Sequence, residues 1–384
     1  MKNYIPLYPP NIPKGSLYYL KKCVYDNYVS TGGDLIKLFE KEISKYTNSK
    51  YALALNSGTS ALHLALKVVG AKKHDEIIVP TLTFVATVNA VIYNDCSPVF
   101  MDSDDYYNID VKKVLSFLSQ NTYLKKNFTF NKKTKKRIFA IIVTHVWGNA
   151  VDLLELARIC KKKNIKLIED ASESLGTFYK KNNRHTGTIG DIGVLSFNAN
   201  KIITTGCGGM LLTNKKKYFD LTKYYSSQAK DDSVNFIHNK VGYNYGMTNI
   251  SAALGIEQIK NINKILKRKQ RIKDLYKKKF YKKRKISFFN GPNYSKNNNW
   301  MNIVQVSLKK KTSIKKIINF FEKNGVQLRP VWHLNHMQKP FRSFESFNIN
   351  NAKKLLKNSL CIPSSISLNS KDINRIIGIF DKIL

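Results

Sequence analysis

YALALNSGTSALHLALKVV, residues 51 to 69, changes character at its middle. Tyr51 to Leu55 is an apolar run of strand length and residues 59 to 69 read as a helix, so the stretch predicts a strand, a tight connection and a helix. The connection is Asn56-Ser57-Gly58-Thr59-Ser60. Its hydroxyls, its glycine and the free N–H groups at the positive end of the helix make an anion site that suits a phosphate. Ser and Thr are equally the ordinary N-caps of helices, and on these residues alone both readings stand.

The alternation continues outward from this unit. Apolar runs recur at Glu76 to Val79, Pro98 to Met101, Ile138 to Val143, Ile165 to Glu169, Gly193 to Phe197 and Met210 to Thr213, with helix patterns between many of them, including 84 to 93 and 151 to 163. Strands alternating with helices predict an α/β domain around a largely parallel sheet, whose ligands sit at the carboxyl ends of the strands. Residues 264 to 285 have the apolar spacing of a long amphipathic helix with lysines on its wet face. From about residue 286 onward a strand (Ile303 to Leu308), a helix (313 to 324) and a closing helix (371 to 383) predict a smaller second domain, dividing the chain into 1–262 and 263–384. Residues 121 to 137, NTYLKKNFTFNKKTKKR, read as a polar, basic surface insertion. No internal repeat is visible.

A chain of 384 residues suits two domains, and 43% apolar residues is the content of a soluble globular protein. The net charge of +39 raises the question of nucleic acid. Only nine of the 65 basic residues are arginine, the side chain best suited to bidentate phosphate and base contacts, and the lysines are spread along the chain, so no specific nucleic-acid partner is expected. The five cysteines are scattered and never form Cys-x-x-Cys. Neither a disulfide framework nor a metal site is indicated, and a reducing compartment, the cytoplasm, is expected. No basic-then-apolar leader and no run of 18 apolar residues occur, so neither export nor a membrane span is expected.

The strand ends carry the chemistry. Between Gly193 and Asn214 the only ionisable side chains are Lys201 and Cys207, although 24% of the chain is charged. An amine among apolar, hydroxyl and glycine neighbours is partly desolvated and available as a nucleophile; a lysine whose stem is buried and whose head reaches water is the alternative. The strand 165 to 169 runs into Glu169-Asp170-Ala171-Ser172-Glu173, where Asp170 is placed to hold a pyridinium N–H or, again, to cap a helix. Phe84 follows the strand 76 to 79 and offers a ring to lie on a flat cofactor, though a phenylalanine is more often core. Ser196 precedes Lys201 as a second phosphate donor. A phosphate cradle, a carboxylate for a ring nitrogen, an aromatic lid and a lone lysine are together the parts of a pyridoxal 5'-phosphate (PLP) site, in which Lys201 carries the cofactor.

These segments resemble, in order, the PLP-dependent nucleotide-sugar aminotransferases of the DegT/StrS type: NSGTSALHLAL, PTLTFVATVNAVIY, IEDASESLG, GDIGVLSFNANKIITTGCGGM, GYNYGMTNISAALG and RPVWHLNHMQ. The resemblance implies fold type I, with a seven-stranded, mostly parallel sheet in the large domain and a smaller C-terminal α+β domain. It matches Lys201 to the cofactor lysine, Asp170 to the ring-nitrogen partner, Phe84 to the stacking aromatic, and Ser57, Gly58, Thr59 and Ser196 to the phosphate ligands. Glu173 falls beside the pyridoxal hydroxyl. Asn244 matches an asparagine that reaches the phosphate from the partner subunit, which implies a homodimer. Gly246 stands where many relatives have arginine, so that contact is missing here.

Trp332 and His333 fall in a loop expected to approach the sugar, and His336 and His185 are further substrate candidates; His145 reads as a hydrogen-bonded core histidine. Within the family, PTLTFVATVNA, MDSDDYYNID, the 121 to 137 insertion, EDASESLG and HTGTIGDIG resemble the enzymes that aminate C4 of UDP-linked 4-keto-6-deoxy-N-acetylhexosamines, with glutamate as the usual donor in a ping-pong reaction. Three rivals are weighed. A sugar dehydratase of the same family has histidine in place of the lysine, a regulator on this fold needs a DNA-binding appendage that the sequence does not show, and a nucleic-acid-binding protein is suggested by charge alone.

Overall fold

Ile77 and Val79 enter one buried apolar cluster, while Ile78 between them enters another. Ala140 and Ile142 are divided in the same way from Ile141 and Val143. This period-two alternation belongs to strands covered on both faces, each buried aliphatic side chain contributing roughly 1.5–3 kcal/mol. The protein, described by a computed structural model over residues 4–281, 283–307 and 313–384, is built on that sheet.

Its strands are β1 (Tyr51–Leu55), β2 (Glu76–Pro80), β3 (Ser97–Met101), β4 (Ile138–Thr144), β5 (Lys166–Asp170), β6 (Ile192–Ser196), β7 (Gly209–Thr213) and β8 (Ser346–Phe347). Across the sheet they lie in the order β1-β7-β6-β5-β4-β2-β3-β8. β7 is antiparallel to both neighbours and every other pairing is parallel. The strands β1 to β6 therefore point the same way and end on one rim. The seven expected strands are present. The eighth, β8, is two residues added to the edge by the C-terminal part of the chain, too short to leave a pattern in the sequence.

Helices Gly58–Val69, Val85–Tyr93 and Leu154–Lys162 cover the sheet, each within three residues of its expected bounds. The long basic helix runs Ile262–Phe280, ending before the expected 285, and turns Ile272, Tyr276 and Phe280 into a second core. That core also takes Phe321 and Phe380 from the helices Ile314–Lys323 and Ser370–Ile383. It is backed by an antiparallel sheet ordered Ile286–Phe288, Asn302–Val306, Ser359–Ile362, Arg329–Pro330. The expected strand end at 308 lies outside the described residues.

The basic stretch 121 to 137 is more than a solvated loop. Thr122–Lys125 pairs with Phe128–Asn131 as a hairpin whose two-residue turn, Lys126 and Asn127, has both φ angles positive (48° and 63°). The buried Asn131 side chain donates to Glu76 (2.9 Å) and Glu345 (2.6 Å), which ties the hairpin to the sheet.

Candidate active site

Where five strands and their following turns reach the common rim, Ser57, Thr83, Phe84, Thr144, Asp170 and Ser196 line a single cavity of about 520 Å³. One end of it is the start of helix Gly58–Val69. The Ser57 hydroxyl accepts the Ser60 N–H at 3.0 Å, so the cap expected there is formed, and the first helical N–H groups, which have no partner inside a helix, face the same region as Ser196. The chain is tight here. A Cβ on Gly58 would stand 3.0 Å from Ser196 Cβ, and one on Gly209, the first residue of β7, would stand 2.4 Å from the Ser57 carbonyl. Glycine is what lets backbone approach backbone around an anion cradle.

Asp170 closes β5 and is almost wholly buried. Thr87 donates to its Oδ2 at 2.7 Å and the Ser172 N–H to its Oδ1 at 3.1 Å, so the carboxylate plane is held from both ends. Its neighbour Glu169 points to the other side of the sheet. It accepts from His145 Nε2 (3.0 Å) and from the amides of Gly187, Ile189 and Gly190, and His145 is the satisfied core histidine that its position suggested.

Lys201 lies between a carboxylate and an indole. Its Nζ is 3.1 Å from Glu173 Oε1 and 4.2 Å from the centroid of the Trp300 ring. The separation from other charges seen along the chain is thus not kept in space, because the turn after β5 delivers Glu173 to it. Burial pushes the Glu173 carboxyl pKa up, the Lys201 charge and the Trp147 N–H oppose this, and the nearby Asp170 adds to it. The other Glu173 oxygen accepts the Trp147 N–H at 2.8 Å, which holds Trp147 in the left-handed region at φ 52°.

Of the sequence candidates, Ser57, Gly58, Thr59, Phe84, Asp170, Glu173, Ser196, Lys201 and Trp332 line this cavity. Phe84 stands at its rim, 54% exposed, edge-on to Trp332. Three candidates do not line it. His185 is buried, with Nε2 accepting from Gly176 N–H at 2.9 Å and Nδ1 donating to the Thr186 carbonyl; burial lowers its pKa to about 4, so both nitrogens serve the fold and a substrate role is corrected. His336 bonds through Nδ1 to the Thr81 hydroxyl (2.6 Å), and its neighbour in the loop, His333, takes the lining position. Asn244 is exposed, and its carbonyl accepts from Asn56.

Reasoning from the sequence missed Trp147, Trp300, Thr87 and Arg329. All three tryptophans of the chain line this one cavity, a concentration that the rarity of the residue could have flagged.

A strand-end cavity holding an amine, a buried carboxylate and a serine- and glycine-lined helix start, on a mostly parallel sheet with one antiparallel strand, defines a PLP enzyme of fold type I. The donors fit the group: hydroxyls and a helix start for a phosphate, Asp170 for a ring nitrogen, Lys201 for its aldehyde carbon. The chain belongs to the DegT/DnrJ/EryC1/StrS aminotransferase family, whose profile matches residues 11–381. It is 36% identical over 275 residues to the GDP-perosamine synthase of Escherichia coli O157:H7, covering 72% of this chain and 71% of that one. It is 30% identical over 368 residues to the UDP-4-amino-4,6-dideoxy-N-acetyl-beta-L-altrosamine transaminase of Campylobacter jejuni serotype O:23/36, covering 94% and 93%. A Streptococcus pneumoniae chain solved in a PLP form superposes with a TM-score of 0.87 at 22% identity over all of both chains, a likeness of fold. The protein is a PLP-dependent aminotransferase.

Proposed function

We propose that the protein transfers an amino group from an amino acid, glutamate, to C4 of a nucleotide-linked 4-keto-6-deoxy sugar, UDP-4-keto-6-deoxy-N-acetylhexosamine. The observation that carries this reading is the convergence of Lys201, Asp170 and the Ser57–Thr59 helix start on one cavity that Trp147, Trp300 and Trp332 also line. The relative named a UDP-4-amino-4,6-dideoxy-N-acetyl-beta-L-altrosamine transaminase supports the UDP-linked substrate, and the one named a GDP-perosamine synthase supports a nucleotide-linked amino sugar as product.

When bound, PLP supplies an electron sink for cleavage of the bond next to the substrate nitrogen. The protein supplies the rest. Lys201 Nζ would hold the cofactor through its aldehyde carbon and, when free, would carry the proton from the substrate carbon to that cofactor carbon. Asp170 would accept the ring N–H, Ser57, Gly58, Thr59 and Ser196 would hold the phosphate, Glu173 would serve the ring hydroxyl, and Phe84 would pack on the ring. The Trp147 and Trp332 rings, 5.1 Å apart, form an apolar wall suited to the hydrophobic face and methyl group of a 6-deoxy sugar, and Trp332, His333 and the loop to His336 border it. Arg329 at the mouth suits a carboxylate or a diphosphate.

Asn244, exposed and outside the cavity of its own chain, is read as reaching the phosphate of a second subunit in a homodimer. Five free cysteines, four of them buried, suit a reducing cytoplasm.

The test is an assay of purified protein with glutamate and a panel of UDP-, GDP- and TDP-linked 4-keto-6-deoxy sugars, following 2-oxoglutarate and the aminated sugar. Turnover confined to UDP-linked N-acetyl substrates is expected. Amination of a GDP-linked sugar in preference would replace the substrate assignment, and absence of transamination with every pair would overturn the reading.

A further inference from the structure

Along the cavity wall, three buried threonines from three elements, Thr83 and Thr144 lining the cavity and Thr87 behind them, make a line that ends on Asp170. The Thr144 hydroxyl, at the end of β4, is 3.0 Å from that of Thr83, in the turn after β2. Thr83 is 3.0 Å from Thr87, in the first turn of helix Val85–Tyr93, and Thr87 is 2.7 Å from Asp170 Oδ2. All three side chains are at most 3% exposed. Each hydroxyl has one proton, and an ionised carboxylate only accepts. Thr87 must therefore give its proton to Asp170, which obliges Thr83 to donate to Thr87 and Thr144 to donate to Thr83. Geometry alone leaves the two inner bonds free to run either way; the carboxylate at the end fixes both.

The line is also braced. The buried Asn335 side chain donates to the Thr83 carbonyl at 2.8 Å and to that of Thr81 at 3.2 Å, so the C-terminal loop holds the turn that carries Thr83. Hydrogen bonds in series polarise one another, by roughly 10–30% per bond, and do so most where water is absent.

We propose that Thr87 is a positioning residue for Asp170, and that Thr83 and Thr144 extend it into a one-way chain of donors that sets the orientation and strength with which Asp170 accepts the ring N–H of PLP. The proposal rests on the reading that Asp170 holds that nitrogen.

The experiment reconstitutes wild type, Thr87→Val, Thr87→Ser, Thr144→Val and Asp170→Asn with PLP labelled with ¹⁵N in the ring, and reads the ring-nitrogen resonance, the thermal midpoint and kcat. Valine keeps the shape of Thr87 and removes the last donor. Its resonance moves toward that of an unprotonated pyridine and kcat falls roughly ten- to a hundredfold, the range for losing a hydrogen bond to a charged group. Serine restores both, and Thr144→Val moves the resonance the same way by less. If Thr87→Val does not fold, Thr144→Val carries the test from outside the helix. A wild-type resonance in both valine variants overturns the chain. If Asp170→Asn also leaves the resonance in place, it is the assignment of Asp170 that fails, which separates the two outcomes.

Discussion

Replacing Gly209 by alanine tests the phosphate cradle without removing any side chain assigned to hold the phosphate. The new Cβ would stand 2.4 Å from both C and O of Ser57 and 2.6 Å from the Gly58 nitrogen. Carbon atoms in contact rest at about 3.5 Å, so β7 and the helix start must part by about 1 Å. These are backbone atoms at a strand end and a helix cap, and no rotamer change relieves them. Overpacking of this kind costs about 1–3 kcal/mol of folding stability, measurable in urea. The consequence for the site is sharper. A shift near 1 Å carries the Gly58 and Thr59 amides away from the phosphate, and losing one hydrogen bond to a charged group costs about 1.5–3 kcal/mol, or roughly ten- to a hundredfold in the dissociation constant of PLP. Titrating apoenzyme with PLP and following quenching of tryptophan fluorescence gives that constant directly, since all three tryptophans line the cavity. Gly378→Ala serves as the control, because a Cβ there meets nothing within 4 Å. A folded Gly209→Ala protein that binds PLP within twofold of wild type would refute the idea that this contact shapes the cradle.

Borohydride reduction of the holoenzyme should fix the cofactor to the peptide containing Lys201, and Lys201→Ala should abolish both the adduct and turnover; label on another lysine would reassign the site. Asp170→Asn should still bind PLP while losing about 3 kcal/mol or more of transition-state stabilisation, seen as a fall in kcat beyond a hundredfold, and near-normal turnover would rule the role out. Mixing inactive Lys201→Ala with inactive Asn244→Ala and allowing subunit exchange should recover activity toward about a quarter of wild type, because half the dimers are mixed and each has one intact site. No recovery after demonstrated exchange would place Asn244 in its own chain's site, or outside any.

Local patterns carried the reading of the sheet far. Seven apolar runs and the helices between them follow from residues that are neighbours in sequence, because strand and helix periodicities are local properties of the chain. The chemistry at the strand ends was legible for a related reason: in a parallel sheet every strand ends on the same rim, so Ser57, Phe84, Asp170 and Ser196 were bound to meet once their strands were recognised. What could not be read were properties of pairs distant in sequence. Lys201 stands alone among its neighbours along the chain, yet Glu173, 28 residues away, lies 3.1 Å from its amine and Trp300 covers it from the other side. Thr87 is an unremarked residue on an apolar helix until β5 brings Asp170 to its hydroxyl. His185 offers the same imidazole as any substrate-binding histidine, and only its burial, with both nitrogens bonded to backbone, withdraws it from the cavity. Which side chains share a periodicity is a matter of local backbone geometry, but which of them meet, and whether a polar group faces ligand or fold, is settled by long-range packing that the chain acquires only on folding.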